Sequence, residues 1–365
     1  MSLEILQPPQ TKGHASVLRL ARQWFIVATS GELSRKPIGR TLQGTPLVLF
    51  RDGEGKAGAL LDRCPHRNVP LSSGDIVEGQ LQCRYHGWRF DREGACRHIP
   101  SLNEPDGVFS TGAKARCATG YPTVEQDGFV WVYSTPRAEA GVFPESPPYR
   151  FTLAGAPGYT SVRQVVEAPG TMHATIENAL DVPHTAFLHR GLFRSKSRGI
   201  KIEAKVTRTR DRVVAEYLGE PRPPGVVARL LSPSGGTVTH FDRFILPSIA
   251  EVEYSLGSEN HILVASVMTP VTDFVTRIFA VVSFRLRIPG LLLKPFLHPL
   301  ALAIFKQDAE ILKLQTESIK RFGGEQFAST EIDVLGRHIW RLLKSAERGE
   351  LPSEEAHEER VELVV

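Results

Sequence analysis

The stretch CPHRNVPLSSGDIVEGQLQCRYHGW, residues 64 to 88, carries two short loops that each pair a cysteine with a histidine. Cys64-x-His66 is followed, after sixteen intervening residues, by Cys83-x-x-His86. Four cysteines in a chain of 365 residues are too few for a disulfide framework, so two thiols and two imidazoles in this tight spacing point to metal. A structural Cys2His2 zinc site is the simplest use of such a set. Three features favour iron. The loops lie in β-rich sequence, Gly87-Trp88 closes the second, and neither a recognition helix nor a basic helix follows.

Working outward, the first third of the chain reads as short strands, QWFIVA (23–28), TPLVLF (45–50) and FVWVY (129–133), separated by Gly, Asp and Pro turns. Asp127-Gly128 ahead of FVWVY is a hairpin signal. The stretch 140–158 is dense in Pro and Gly, as inter-domain linkers are, and sets an expected boundary near residue 145, with domains 1–145 and 146–365. Beyond it, SVRQVVE (161–167), KIEAKVTRTR (201–210) and HILVASVM (261–268) alternate as long antiparallel strands with one wet face. Helices are expected over 171–180, 300–322 and 331–348, and the acidic tail from Glu350 is expected to fray. The fold class is therefore α+β, a β-rich domain followed by an antiparallel sheet with flanking helices.

Bulk properties exclude several classes. A hydrophobic fraction of 41%, a charged fraction of 23% and a net charge of +4 describe an ordinary globular protein with nothing that demands nucleic acid. The first residues contain Glu4 and two prolines and lack the basic start and apolar run of a secretory signal, so a cytoplasmic location is expected. The most apolar segment, Phe279 to Phe305, is interrupted by Arg285, Arg287, Lys294 and three prolines, which makes it a buried helix and loop wall, with membrane contact or a greasy substrate entrance as the alternative. Cys96 and Cys117 lie outside both loops and are expected to pack as small buried hydrophobes. Tyr85 and Trp88 either shield the metal loops or belong to the β core.

A second constellation lies in NALDVPHTAFLH, residues 178 to 189. Positions five apart on a regular α-helix are turned about 140° from one another, so His184 and His189 share an ion only if the backbone is π-like or leaves the helix. Pro183 supplies the reason for a break. Two histidines require a carboxylate if the metal is oxygen-activating Fe(II). In IFKQDAEILKLQ, Asp308 falls on the apolar side of a helix with Ile304, Ile311 and Leu312, where a charge is costly unless it is paired or bound to metal, whereas Glu310 and Glu317 fall toward the polar side.

The C-x-H…C-x-x-H pattern resembles the Rieske [2Fe-2S] motif, in which two thiolates hold one iron and two imidazoles the other. Asn178, Asp181, His184 and His189, with Gln307-Asp308 far downstream, resemble the catalytic domain of Rieske non-haem iron oxygenases of the type that acts without a β subunit. The resemblance implies a β-rich Rieske domain and a helix-grip catalytic domain. It implies that Cys64, His66, Cys83 and His86 hold the cluster and that His184, His189 and Asp308 hold mononuclear Fe(II). Asp181 matches the aspartate that bridges an iron-ligand histidine to a cluster-ligand histidine of the neighbouring subunit in a head-to-tail homotrimer. Neutral imidazole ligands raise the cluster potential to about −150 mV or above, within reach of a ferredoxin or flavin reductase drawing on NAD(P)H. Respiratory Rieske proteins carry an extra, disulfide-forming cysteine in each loop, and these loops have none. With O2 as co-substrate, the implied activity is hydroxylation or demethylation of a hydrophobic aromatic or polycyclic molecule. The alternatives are a pure electron-transfer protein and a non-catalytic relative. Arg63, Arg67, Arg84, Arg89, Arg92 and Arg97 suggest a docking face for an acidic ferredoxin, although five nearby carboxylates leave a balance of only +1.

Overall fold

The computed structural model describes residues 18–100, 102, 113–137, 144, 146–189, 201–220, 238–257, 260–286, 290–350 and 356–364. The chain divides into two compact units, Ala21–Arg150 and a second made of Phe151–Val365 with the segment ending at Leu20.

In the first unit, apolar alternation and tight turns yield three small antiparallel sheets. One contains β1 (Trp24–Thr29), β11 (Phe129–Tyr133) and β10 (Thr123–Gln126), a second β2 (Ile38–Leu42), β3 (Thr45–Arg51), β4 (Ala57–Leu61) and β9 (Gly120–Tyr121). The third contains β5 (Asp75–Val77), β6 (Gln80–Gln82), β7 (Arg89–Phe90) and β8 (Cys96–His98). Asp127 and Gly128 both take positive φ, 56° and 82°, as the expected two-residue hairpin between β10 and β11 requires. A core of Val48, Phe50, Leu60, Leu71, Leu81 and Phe90 supports the two cysteine loops, and Cys96 is buried within it as expected. Cys117 is only half-buried. One further helical turn, α1 (Ala113–Arg116), precedes β9.

The second unit is built on an eight-stranded antiparallel sheet in the order β12, β18, β17, β16, β15, β14, β13, β19. These are β12 (Thr160–Ala168), β13 (Lys201–Arg208), β14 (Arg212–Leu218), β15 (Val238–Ile245), β16 (Ile249–Leu256), β17 (Asn260–Thr272), β18 (Val275–Arg285) and β19 (His357–Val364). Three helices pack on it. The first, α2 (Met172–Ala179), contacts β16, β17 and β18; α3 (Gly290–Phe322) lies along β12; α4 (Gly336–Glu347) lies on β14 and touches α2. Thr171 caps α2 by accepting the backbone N–H of Ala174 at 3.1 Å.

Three expectations are corrected. The tail does not fray: His357–Val364 pairs antiparallel with β13 along eight residues, because Val361 and Leu363 alternate inward while Glu358, Arg360 and Glu362 face solvent. The helix expected from residue 300 begins at Gly290 and runs through Pro295 and Pro299, tied to the sheet where Gln164 donates to the carbonyl of His298 at 2.9 Å. The apolar segment is therefore part strand and part helix, and it is no buried wall throughout, since Leu292 and Phe296 are exposed. Among the described residues no helix is long and apolar enough to cross a membrane.

The sheet interior also holds a charged cluster that no local pattern announces. His240 of β15 is buried, with Nδ1 2.7 Å from Glu220 Oε2 and Nε2 3.0 Å from Asp242 Oδ1. In register with it, Tyr217 of β14 and Tyr254 of β16 stack on its two faces at 4.6 and 4.0 Å. Burial alone depresses an imidazole, but the two carboxylates outweigh it and raise His240 to about 9. Because the folded value lies above the unfolded one, this stabilisation is complete below about pH 6.5 and is lost as pH rises through about 9. His240→Leu, which leaves two buried carboxylates without their cation, is expected to destabilise the protein by about 3–5 kcal/mol near neutral pH. Thermal unfolding across pH checks both, and a variant as stable as the parent would show the cluster to be energetically neutral.

Candidate metal centres

The two cysteine loops are one turn used twice. The Cys64 N–H donates to the Val69 carbonyl and the Asn68 N–H returns to the Cys64 carbonyl, both at 2.9 Å. Cys83 and Trp88, then Gly87 and Cys83, repeat the pair at 2.8 and 3.0 Å. Each turn needs a left-handed residue at its fourth step, supplied by Asn68 (φ 61°) and Gly87 (φ 70°). Gly87 has a second reason to be glycine, since a Cβ there would lie 2.9 Å from Pro100 Cγ.

These turns bury both thiols side by side and leave the two imidazoles outermost, with His86 exposed and ring centroids 4.5 Å apart. Burial pushes the Cys64 thiol up to about 11, with the neighbouring Cys83 adding to the effect. A thiolate in such a place requires cationic compensation. Burial and His86 both hold His66 below its ordinary value, so its ring is neutral, and its buried Nδ1 has no hydrogen-bond partner. Two buried thiols and an orphaned imidazole nitrogen fit a cluster with mixed sulfur and nitrogen ligands. Trp88 stacks on His66 at 4.7 Å and packs on the core, and Tyr85, although 61% exposed, lies against the His86 ring at 3.8 Å, so each imidazole has one aromatic neighbour. The arginine face is thinner than its count. Arg89, Arg92 and Arg97 are engaged by Glu78, by Asp52 and Glu93, and by Asp91, which leaves Arg63, Arg67 and Arg84 exposed.

In the second unit the break at Pro183 takes the second of the two forms open to it. Helix α2 ends at Ala179, and a 3-10 turn over Pro183–Ala186 carries His184, so the five-residue step lies outside the α-helix and not in a π-bulge. His184 Nε2 and His189 Nε2 come within 3.2 Å, and Asp308 Oδ1 lies 3.6 and 3.1 Å from them. Asp308 reaches them from α3 on the face it shares with Phe305, Ala309 and Leu312; Ile311, expected on that face, is exposed.

Protons settle what this triad can hold. His184 Nδ1 makes a short hydrogen bond to the Asp181 backbone carbonyl, and His189 Nδ1 lies 2.8 Å from Gln307 Oε1. An acceptor at each Nδ1 places the ring proton there, so both Nε2 atoms present lone pairs. Asp308 Oδ1 is a third acceptor, buried without a hydrogen-bond partner. Three converging lone pairs with no hydrogen among them repel unless a cation lies between them. Without one, a proton is the substitute: burial depresses His189, yet Asp308 and Gln307 outweigh it and raise it, while burial raises Asp308 and the two imidazoles bring it below its usual value. The two-nitrogen, one-carboxylate set fits ferrous iron with open positions.

Asp181 stands differently from expectation. Its carboxylate is 40% exposed and 3.6 Å from His184 Nδ1, so the backbone carbonyl orients the ring and the side chain stays available to another partner. Gln307 was legible only as the neighbour of Asp308, and its grip on His189 is a contact across 118 residues that no spacing reveals.

Comparison with known proteins agrees with these two centres. Residues 23–119 match the Rieske [2Fe-2S] domain, and residues 170–349 match the vanillate O-demethylase oxygenase C-terminal domain. The oxygenase component of dicamba O-demethylase from Stenotrophomonas maltophilia is 37% identical over 169 residues, 46% of this chain and 47% of that one. The oxygenase subunit of 3-chlorobenzoate-3,4-dioxygenase from Comamonas testosteroni is 31% identical over 265 residues, 71% of this chain and 58% of that one. The matched regions thus span about half the length of these curated relatives. The crystal structure of dicamba monooxygenase bound to 3,6-dichlorosalicylic acid superimposes with a TM-score of 0.76 at 25% identity, covering 91% of this chain and 98% of that one. The same protein is also known with non-heme iron and dicamba. With a [2Fe-2S] domain, an oxygenase domain and a His/Asp iron site in one chain, this protein belongs to the Rieske non-haem iron oxygenases.

Proposed function

We propose that the chain is the terminal oxygenase of a multicomponent system that takes electrons from NAD(P)H through a ferredoxin or flavin reductase and hydroxylates or demethylates a hydrophobic aromatic or polycyclic substrate with O2. The observation that carries this reading is the convergence of His184, His189 and Asp308 in a chain that also builds the two cysteine loops. A pure electron carrier has no use for the second centre. Cys64, Cys83, His66 and His86 hold the cluster in this reading, and His184, His189 and Asp308 hold the ferrous ion. When bound, the cluster supplies one-electron transfer and the ferrous ion supplies an open site for O2.

The chain's own residues set the conditions for that chemistry. Gln307 and the Asp181 carbonyl hold both imidazoles in the tautomer that points Nε2 inward. Trp88 covers one face of His66 while His86 stays at the surface, so a bound cluster would present its imidazole side to a redox partner. The exposed Asp181 carboxylate reaches a cluster-ligand histidine of a neighbouring subunit in a head-to-tail homotrimer. Phe305, Ala309 and Leu312 of α3 pack with Ile278 and Ala280 into the buried core that fixes the helix carrying Asp308. The relatives named for dicamba and 3-chlorobenzoate act on chlorinated aromatics, and an aromatic substrate is the reading they favour here.

Iron and acid-labile sulfide analysis, with EPR of the dithionite-reduced protein, tests the proposal. About three irons and two sulfides per chain are expected, with the anisotropic signal of a histidine-ligated cluster. Protein that holds about two irons even after anaerobic incubation with Fe(II) would reduce the reading to an electron carrier. Asp308→Ala is expected to lose the third iron and keep the cluster spectrum. Gln307→Leu removes the acceptor at His189 Nδ1 and is expected to weaken Fe(II) binding about 10–100-fold, read by metal titration; unchanged affinity would release Gln307 from the orienting role. Asp181→Asn is expected to retain both metals while rapid-mixing kinetics show slowed cluster oxidation. Oxidation at the parent rate would remove the bridging role.

A further inference from the structure

Away from either set of metal ligands, the end of β13 and the helix α4 border an open cavity of about 380 Å³, with Arg208, Trp340, Arg341, Lys344, Ser345 and Arg348 at its wall and Leu342 beneath them. Its size falls in the range of small-molecule sites. Four of these seven side chains are cationic, and their partners divide them into two classes. Lys344 is paired with Glu347 at 2.8 Å and Arg348 with Glu350 at 2.6 Å. Arg208 and Arg341 have no ion pair among the described residues. One guanidinium nitrogen of Arg208, Nη1, is buried with no hydrogen-bond partner. The acid that Arg208 feels, Glu359, is already engaged by Arg337 and by His338 at 2.9 Å. Burial and the charge of Arg341 together depress Arg208, and they outweigh the opposing pull of Glu359.

Two guanidiniums without an ion pair among the described residues, at one open cavity, are unfavourable together in the empty protein and favourable around an anion. Planar guanidinium forks match the oxygens of phosphate in bidentate fashion, and the Ser345 hydroxyl and Lys344 ammonium supply further donors at the same wall. Lys344 is held in place over the Trp340 ring at 4.9 Å. We propose that this cavity is a binding site for a small, doubly charged oxyanion of the phosphate class. The wall of the site also meets the catalytic framework: Trp340 packs on His173 of α2 at 4.9 Å, and α2 is the helix that ends just before Asp181.

Inorganic phosphate is the probe, added to the holoprotein and compared with sodium chloride at equal ionic strength and pH. The melting temperature is expected to rise with phosphate concentration and not with chloride. Isothermal titration should give a dissociation constant weakened at least tenfold in Arg208→Gln and in Arg341→Gln. Arg341 is exposed on α4, so its variant folds and keeps the test open should Arg208→Gln not. Asp308→Ala is expected to bind phosphate as the parent does. An equal rise with chloride, undiminished binding in Arg341→Gln, or loss of binding in Asp308→Ala would each overturn the proposal, the last by assigning the anion to the iron centre.

Discussion

Three lone pairs that face one another without a hydrogen are the constraint on which the catalytic unit depends. His184 Nε2, His189 Nε2 and Asp308 Oδ1 lie within 4.8 Å of one another, an arrangement that costs free energy until a cation occupies their centre. Every local irregularity nearby serves it. Helix α2 stops at Ala179, Pro183 opens the 3-10 turn that carries His184 toward His189, and α3 delivers Asp308 from its apolar face. Two acceptors, the Asp181 carbonyl and Gln307, then hold the ring protons on the outer nitrogens.

The cluster loops solve a related problem by different means. There the ligands come from one stretch of chain, and the geometry is made by backbone hydrogen bonds in two copies of the same turn. Burial of the thiols and exposure of His86 follow directly. Both centres rest on antiparallel sheets, whose registers place side chains at fixed spacing whatever their chemistry. The sheet of the second unit uses that property again for its own stability, stacking Tyr217, His240 and Tyr254 in one cross-strand row with the imidazole clamped by two carboxylates.

Features with a short-range signature were legible in the chain. The cysteine–histidine loops, the Asp127-Gly128 hairpin, the helix expected over 171–180 and the long alternating strands all depend on residues within a few turns or one strand. Asp308 was found for a physical reason as well, since a carboxylate on the apolar side of a helix needs a partner. Errors arose where a distant partner overrode a local tendency. The acidic tail looked unable to order itself, yet β13 offered an edge to which Val361 and Leu363 could pair. The helix expected to start at residue 300, after the prolines at 295 and 299, is carried back through both to Gly290 by packing against β12.

By itself, then, the sequence determined the ligand types, the two turn geometries that present Cys64, His66, Cys83 and His86, and the break that frees His184 and His189 from the helix. All of these follow from backbone preferences and side-chain chemistry acting over a few residues. Only the tertiary structure decided that Asp308 meets those histidines, that Gln307 contacts one of them, that His240 lies between Glu220 and Asp242, and that Arg208 and Arg341 border one cavity. Most of these groups lie on different strands or helices, some more than a hundred residues apart, and such contacts leave no period or spacing in the chain because register and packing alone bring them together.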